Sequence, residues 1–166
     1  LKRIEQVSIP MEGEVPLDVY CSYSRNQILS AFNHKDPSNM QEGVYYSREY
    51  NTDILLVTLK KTEKLYTPTT MYKNYAINPY KFHWESQNKT TTESESGKRY
   101  INSSSNVLLF VRESKVDMYN MTPPYTFLGP VKIESHRGNK PMEIVWKMKY
   151  RIPARFIEEL TRGLAI

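Results

Sequence analysis

Residues 125–150 read YTFLGPVKIESHRGNKPMEIVWKMKY. Two runs rich in β-branched and aromatic residues, Tyr125 to Ser135 and Met142 to Tyr150, flank the polar, Gly- and Pro-containing HRGNKP, the pattern of two antiparallel strands and their turn. Upstream, VLLFVRE from Val107 to Glu113 is a third run of the same kind. The three together predict a β-meander.

Working outward, VYYS after Gly43, a polar turn from Glu49 to Asn51 and ILLVTL from Ile54 to Leu59 predict a hairpin whose second strand is central. Two helices are expected to flank these strands. In SRNQILSAFN, Ser24 and Gln27 have capping-box spacing, and Ile28, Leu29 and Phe32 form an apolar stripe that closes before Pro37. Near the other end, Pro153 suits a first helical turn, and Phe156, Ile157, Leu160 and Leu164 follow at helical spacing. With no repeated βαβ unit, the expected class is α+β: a curled, mostly antiparallel sheet or small β-barrel with flanking helices.

The 166 residues suffice for one domain with a real core and are too few for two. Residues 1–14 are charged and Pro-punctuated and are read as a linker from an upstream domain, leaving 15–166 as a single domain. Thirteen tyrosines against six glycines favour strands over bundled helices. A net charge of +5 points toward polyanions. Cys21 is the sole cysteine, which excludes an internal disulfide and a thiolate zinc cluster and fits a reducing cytoplasm. No apolar run approaches membrane-spanning length, so no membrane partner is expected.

Catalytic signatures are absent. Asp53 precedes a strand, but no Glu-x-Lys follows to complete a metal nuclease site, and His136 and Asn139 in HRGNK lie in what reads as a hairpin turn. The six scattered glycines make neither a dinucleotide fingerprint nor a phosphate loop. The domain is expected to be non-catalytic and to need no cofactor or metal.

The informative segment is YKFHWESQNKTTTESESGKRYI, Tyr80 to Ile101. As a strand, Tyr80 to Asn88 places Tyr80, Phe82 and Trp84 on one face and Lys81, His83, Glu85 and Gln87 on the other. One reading buries the aromatics, at least two of the three, and wets the other face. The other reading sees a nucleic-acid groove, because Tyr66, Tyr72, Tyr75 and Tyr100 are interleaved nearby with Lys73, Lys89, Lys98 and Arg99: bases stack on aromatic faces and cations hold phosphates. KTTTESESGK, 89–98, has little to bury and reads as a mobile loop.

The blocks NYAINPYKFHWESQNKTT, GKRYI, VLLFVRE and YTFLGPVKIESHRGNKPMEIVWKM resemble the C-terminal domain of certain bacterial superfamily II helicases that also carry a phospholipase-D-type nuclease. Those proteins are similar to type IV, modification-dependent restriction enzymes of the SauUSI kind. The likeness runs from about Val15 to Leu164. It implies a target-recognition domain with an SRA-like or PUA-like sheet, reading 5-methylcytosine or 5-hydroxymethylcytosine in duplex DNA by base flipping. Its partners would be double-stranded DNA carrying modified cytosine and the helicase and nuclease domains of the same polypeptide, an ATP-dependent restriction endonuclease.

Residue roles rest on chemistry, since the likeness is to blocks rather than to assigned positions. Trp84 and Tyr75 are the expected stackers and His83, Ser86 and Gln87 the edge readers, with Asn88 and Tyr100 completing the base-pocket candidates. Lys81, Lys89, Lys98, Arg99 and Arg137 are the expected phosphate contacts. Three other readings stay open: a protein-interaction module regulating an attached helicase, a general DNA-binding domain without modification specificity, and an enzyme of unrecognised type, a nuclease or base-releasing hydrolase, suggested only by the expected flipping pocket.

Overall fold

The computed structural model describes residues 9–10, 15–35, 43–60 and 73–157. Among the described residues, ten strands and two helices occur in this order: β1 (Ile9–Pro10), β2 (Asp18–Val19), β3 (Ser22–Tyr23), α1 (Arg25–Ala31), β4 (Val44–Ser47), β5 (Thr52–Lys60), β6 (Tyr75–Asn78), β7 (Lys81–Glu85), α2 (Glu95–Asn102), β8 (Asn106–Ser114), β9 (Tyr125–Arg137) and β10 (Glu143–Met148). Eight of the strands form one mixed sheet in the order β4-β5-β8-β9-β10-β7-β6, with β3 paired to β9; β1 and β2 make a separate two-stranded pairing. The sheet is open, with β4 and β6 at its ends, which corrects the barrel alternative and is consistent with the α+β class.

The meander is present as β8, β9 and β10, consecutive and antiparallel. The hairpin of β4 and β5 is present too, but β5 is next to the edge strand rather than central. Its uniform hydrophobicity reports burial on both faces, which is independent of position along a sheet. Its other neighbour, β8, runs parallel to it, with Thr52 opposite Asn106 and Lys60 opposite Ser114. Between β5 and β8 the chain visits the far edge as β6 and β7 and returns through α2, a crossover that sequence pattern alone does not announce.

Both faces of the β5–β8 half are covered. On one, alternate residues Leu55, Val57, Val107, Leu109 and Val111 join Phe82 and Trp84 of β7, Ile144, Trp146 and Met148 of β10, and Tyr100 of α2. On the other, Ile54, Leu56, Leu108, Phe110, Tyr125 and Phe127 pack with Ile28 of α1, its C-cap Phe32, and Val15, Leu17 and Val19. On this second face the core stops at β9, so the parts of β10 and β7 beyond it turn Lys81, His83, Glu85, Val145 and Lys147 away from any buried cluster.

The helices obey their caps. Ser24 caps α1 in the full reciprocal box with Gln27, as its spacing predicts, and Phe32 is the C-cap. The expectation of a mobile loop at 89–98 is corrected. Thr91 and Ser94 form a closed local set of hydrogen bonds, Ser94 accepts from the Gly97 amide as N-cap, and the segment runs directly into α2. Small hydroxyl side chains that look solvating in a composition count are here satisfying a helix start. Beyond Pro153 a single helical turn covers 154–157; Leu160 and Leu164 lie outside the described residues, as do Tyr66 and Tyr72.

Candidate nucleic-acid interface

Strand β7 shows the expected alternation, with Phe82 and Trp84 buried and Lys81, His83 and Glu85 turned outward. Tyr80 departs from it. It sits in the β6–β7 turn and is 48% exposed, because the strand begins only at Lys81. Trp84 is 4% exposed and packs edge-on against Tyr100, with centroids 5.6 Å apart at 89°, so it is a core residue rather than an open stacking face. Ser86 is buried, its hydroxyl donating to the Gln87 carbonyl at 3.0 Å and accepting the Met142 amide at 2.8 Å, which removes it as an edge reader.

Tyr75 and His83 come together on the outer face, with ring centroids 4.7 Å apart and planes at 15°. The Nδ1 of His83 lies 2.7 Å from the Lys73 carbonyl, and since a carbonyl only accepts, Nδ1 carries the donated hydrogen. Around them the charges are matched: Lys73 with Glu85 at 3.5 Å, Lys81 with Glu134 at 3.1 Å, and Arg137 with Glu143 at 2.8 Å. Gln87 is half-buried, while Asn88, Lys89 and Lys98 are exposed in the following turn and on α2. Arg99 is committed elsewhere, its Nε and Nη2 each 3.0 Å from a carboxylate oxygen of the buried Asp53. The phosphate candidates read from sequence are thus scattered, and Arg137 and Arg99 are closely paired with acids.

A cleft of about 630 Å³ lies where β8 begins. The last β8–β9 pair at this end is Val107 with Val131, while β9 continues to Arg137 paired only with β10. The cleft fills the gap this leaves. Tyr100 and Trp146, both buried, are among its lining residues, with ring centroids 5.7 Å apart at 87°, together with Ser103 and Ser105 of the α2–β8 connection and Asn106 at the start of β8. Lys132, Lys147 and Lys149 are also among the lining residues, although strand alternation turns the side chains of Lys132 and Lys147 to the face opposite Trp146 and Val131. The indole Nε1 of Trp146 is buried and has no hydrogen-bond partner among the described residues.

The α2–β8 connection is held from beneath. Ser105 donates to Asp53 Oδ2 at 2.5 Å, Asn51 Nδ2 donates to the Ser104 carbonyl at 2.9 Å, and Ser103 takes a left-handed conformation as C-cap. Burial, joined by the charge of Asp53, raises the Tyr100 phenol above its ordinary value of 10.0. The folded state therefore keeps this proton after the unfolded chain has lost it, and folding stability falls as pH rises above about 10. Tyr100→Phe is expected to unfold with a shallower alkaline decline, by up to about 1.4 kcal/mol per pH unit, in denaturation series between neutral and alkaline pH. An unchanged slope would place the decline on other tyrosines.

Of the seven base-pocket candidates only Tyr100 lines the cleft; Trp84 lies behind it in the aromatic core. Trp146, Lys132, Lys147, Lys149, Ser103, Ser105 and Asn106 are the residues sequence reasoning missed. The alternation in MEIVWKM is a usable signal that Trp146 faces the core and Lys147 does not. Nothing local brings Ser105 beside Lys132.

Among the described residues no helix is long and apolar enough to cross a membrane. No curated protein matches the chain. Residues 17–160 match the family described as "Domain of unknown function (DUF3427)", and the chain, matched over most of its length, belongs to that family.

Proposed function

We propose that this chain is a DNA-binding target-recognition module that reads 5-methylcytosine or 5-hydroxymethylcytosine in duplex DNA, with the modified base rotated out of the helix into the cleft at the start of β8. The observation that carries this reading is a cleft whose lining residues bring Tyr100 and Trp146 together with three lysines and the polar Ser103, Ser105 and Asn106. Its volume falls within the range of about 300–1,000 Å³ typical of small-ligand sites. The resemblance of the sequence blocks to modification-dependent restriction enzymes supplies the class of base. On that reading the module works in the cytoplasm, beside helicase and nuclease domains of a type IV endonuclease. An SRA-like sheet, opened at the β8 end, would serve that role without chemistry of its own.

Flipping costs a few kcal/mol, and stacking on an aromatic ring returns about 1–3 kcal/mol per base. Edge hydrogen bonds and phosphate contacts must supply the rest. A buried methyl adds only about 1 kcal/mol, which corresponds to roughly fivefold in affinity. A titration with matched modified and unmodified duplexes at one salt concentration is therefore expected to show at least that preference. Changing Lys132, Lys147 and Lys149 together to alanine should weaken both duplexes and flatten the salt dependence by about one unit of slope for each phosphate no longer neutralised. Equal affinities for the two duplexes would instead favour a general DNA-binding domain.

One observation favours the interaction-module reading. The β8–β9 turn, braced by Asp117 Oδ1 accepting from the Tyr119 and Met121 amides, holds Met118, Tyr119 and Met121 in solvent at the end of β8 away from the cleft. Such a tip suits contact with a neighbouring domain and is compatible with DNA bound at the other end.

A further inference from the structure

The outer face of β7, β10 and β9 carries a second feature. Lys81 is directly opposite Lys147, and Lys147 directly opposite Lys132. Alternation confirms the common face, since the neighbours Phe82, Trp146, Met148 and Val131 all belong to the core on the other side. Three lysines thus stand in register across three adjacent strands, spanning about 10 Å at the usual strand spacing. Like charges directly opposite one another in a sheet are destabilising, so this row is a local cost to folding that a bound polyanion would remove.

Aromatic rings adjoin the same end of the sheet. The Met148 amide bonds to the Tyr80 carbonyl and the Ile152 amide to the Pro79 carbonyl, which carries 149–151 past the β6–β7 turn. There the Tyr20 hydroxyl donates to the Arg151 carbonyl at 2.7 Å, and Tyr80, Tyr150 and Arg151 are all near enough to Tyr20 to act on its charge. Tyr80 is about half exposed, and Lys149 and Arg151 are exposed as well. The acid in this row is Glu134, which reaches Lys81 at 3.1 Å with both side chains substantially in water. An exposed pair of that kind exchanges readily for a phosphate.

We infer that this face is a track for a single strand of nucleic acid, with Lys132, Lys147 and Lys81 holding successive phosphates and Tyr80 stacking an unpaired base. An open tyrosine face selects single-stranded over duplex ligand, because a base inside a duplex has both faces covered by its neighbours. The row begins at Lys132 and Lys147, residues that also border the cleft, so the track adjoins it across the edge of the sheet. The inference rests on the DNA-binding part of the function proposed above and extends it to a different form of the ligand.

The test uses the whole chain and a labelled oligo(dT) of about 12 nucleotides, within the range bound by single-strand grooves. Fluorescence anisotropy is read beside the modified and unmodified duplex titrations. Tyr80→Ala combined with Arg151→Ala, both outside the cleft, is expected to weaken oligo(dT) binding about tenfold and to leave the ratio of modified to unmodified duplex affinity unchanged. Tyr80→Phe alone keeps the ring and should bind oligo(dT) as the parent does. Oligo(dT) affinity that is absent in the parent protein, or untouched in the double variant, overturns the track. A duplex affinity ratio of one together with the tenfold loss on oligo(dT) supports the track and rejects the modified-base reading instead.

Discussion

Replacing Arg99 with alanine is expected to lower the stability of the domain by roughly 3 kcal/mol, at the lower end of the range for removing one partner from a buried ion pair. Asp53 stands at the start of β5 with only 3% of its side chain exposed, and it receives two hydrogen bonds from Arg99 and one from Ser105. Removing Arg99 leaves a carboxylate with a single hydroxyl donor in the interior. The guanidinium also lies 3.8 Å from the centre of the Tyr46 ring, and that cation–π attraction disappears with it. Burial on its own would lower the Arg99 pKa; the hydrogen bonds and charge of Asp53 outweigh it, and the net shift is upward.

The reverse deletion should be milder. With a fifth of its side chain in solvent, Arg99 can turn to water when Asp53→Asn removes its partner charge. Urea unfolding of the two single variants and of Arg99→Ala combined with Asp53→Asn separates the cases: Arg99→Ala should be the least stable, and the double variant should recover part of its loss. Equal losses in the two single variants would mean that packing, rather than an uncompensated charge, sets the cost. Because Ser105 hangs from the same carboxylate, Arg99→Ala should also loosen the cleft wall and, on the DNA-reading function proposed above, weaken binding in the duplex titration.

Gly97→Ala is the second large effect. Glycine inside an exposed helix is normally worth replacing, since alanine is favoured by about 1 kcal/mol at such positions. Here the added Cβ would lie 1.9 Å from the Thr91 carbonyl oxygen and 3.1 Å from the Met142 sulfur. The first of these neighbours is backbone, which cannot step aside, so the whole start of α2 has to lift. That movement pulls Tyr100 from its edge-on packing with Trp84 and Trp146. A loss of about 3 kcal/mol in thermal or urea unfolding is expected, at the upper end for overpacked sites. The sign is decisive, because any stabilisation would show that α2 does not seat against residue 91.

Alternation and caps are legible because they are written within one segment. KFHWE alone places Phe82 and Trp84 inside and Lys81 and His83 outside, and Ser24 with Gln27 alone starts α1. The same locality explains the misreadings. Nothing in KTTTESESGK distinguishes a solvated loop from a capped helix start until Gly97 is seen pressed against Thr91, and nothing near Arg99 announces that Asp53, forty-six residues away, will claim it. The large flat ring that makes Trp84 a plausible stacker is the same property that draws it into the core.

By itself, then, the sequence determined the strands of the meander and the hairpin, the capped helix α1 and which side of β7 is wet, since each follows from the two- or 3.6-residue period of a single segment. The tertiary structure alone decided that β8 runs parallel to β5, that β9 outlasts β8 to open a cleft beside Trp146, and that Lys81, Lys147 and Lys132 fall in one row. Those outcomes depend on register between strands far apart in the chain. A one-residue slip in any of them would send the lysines to the opposite face.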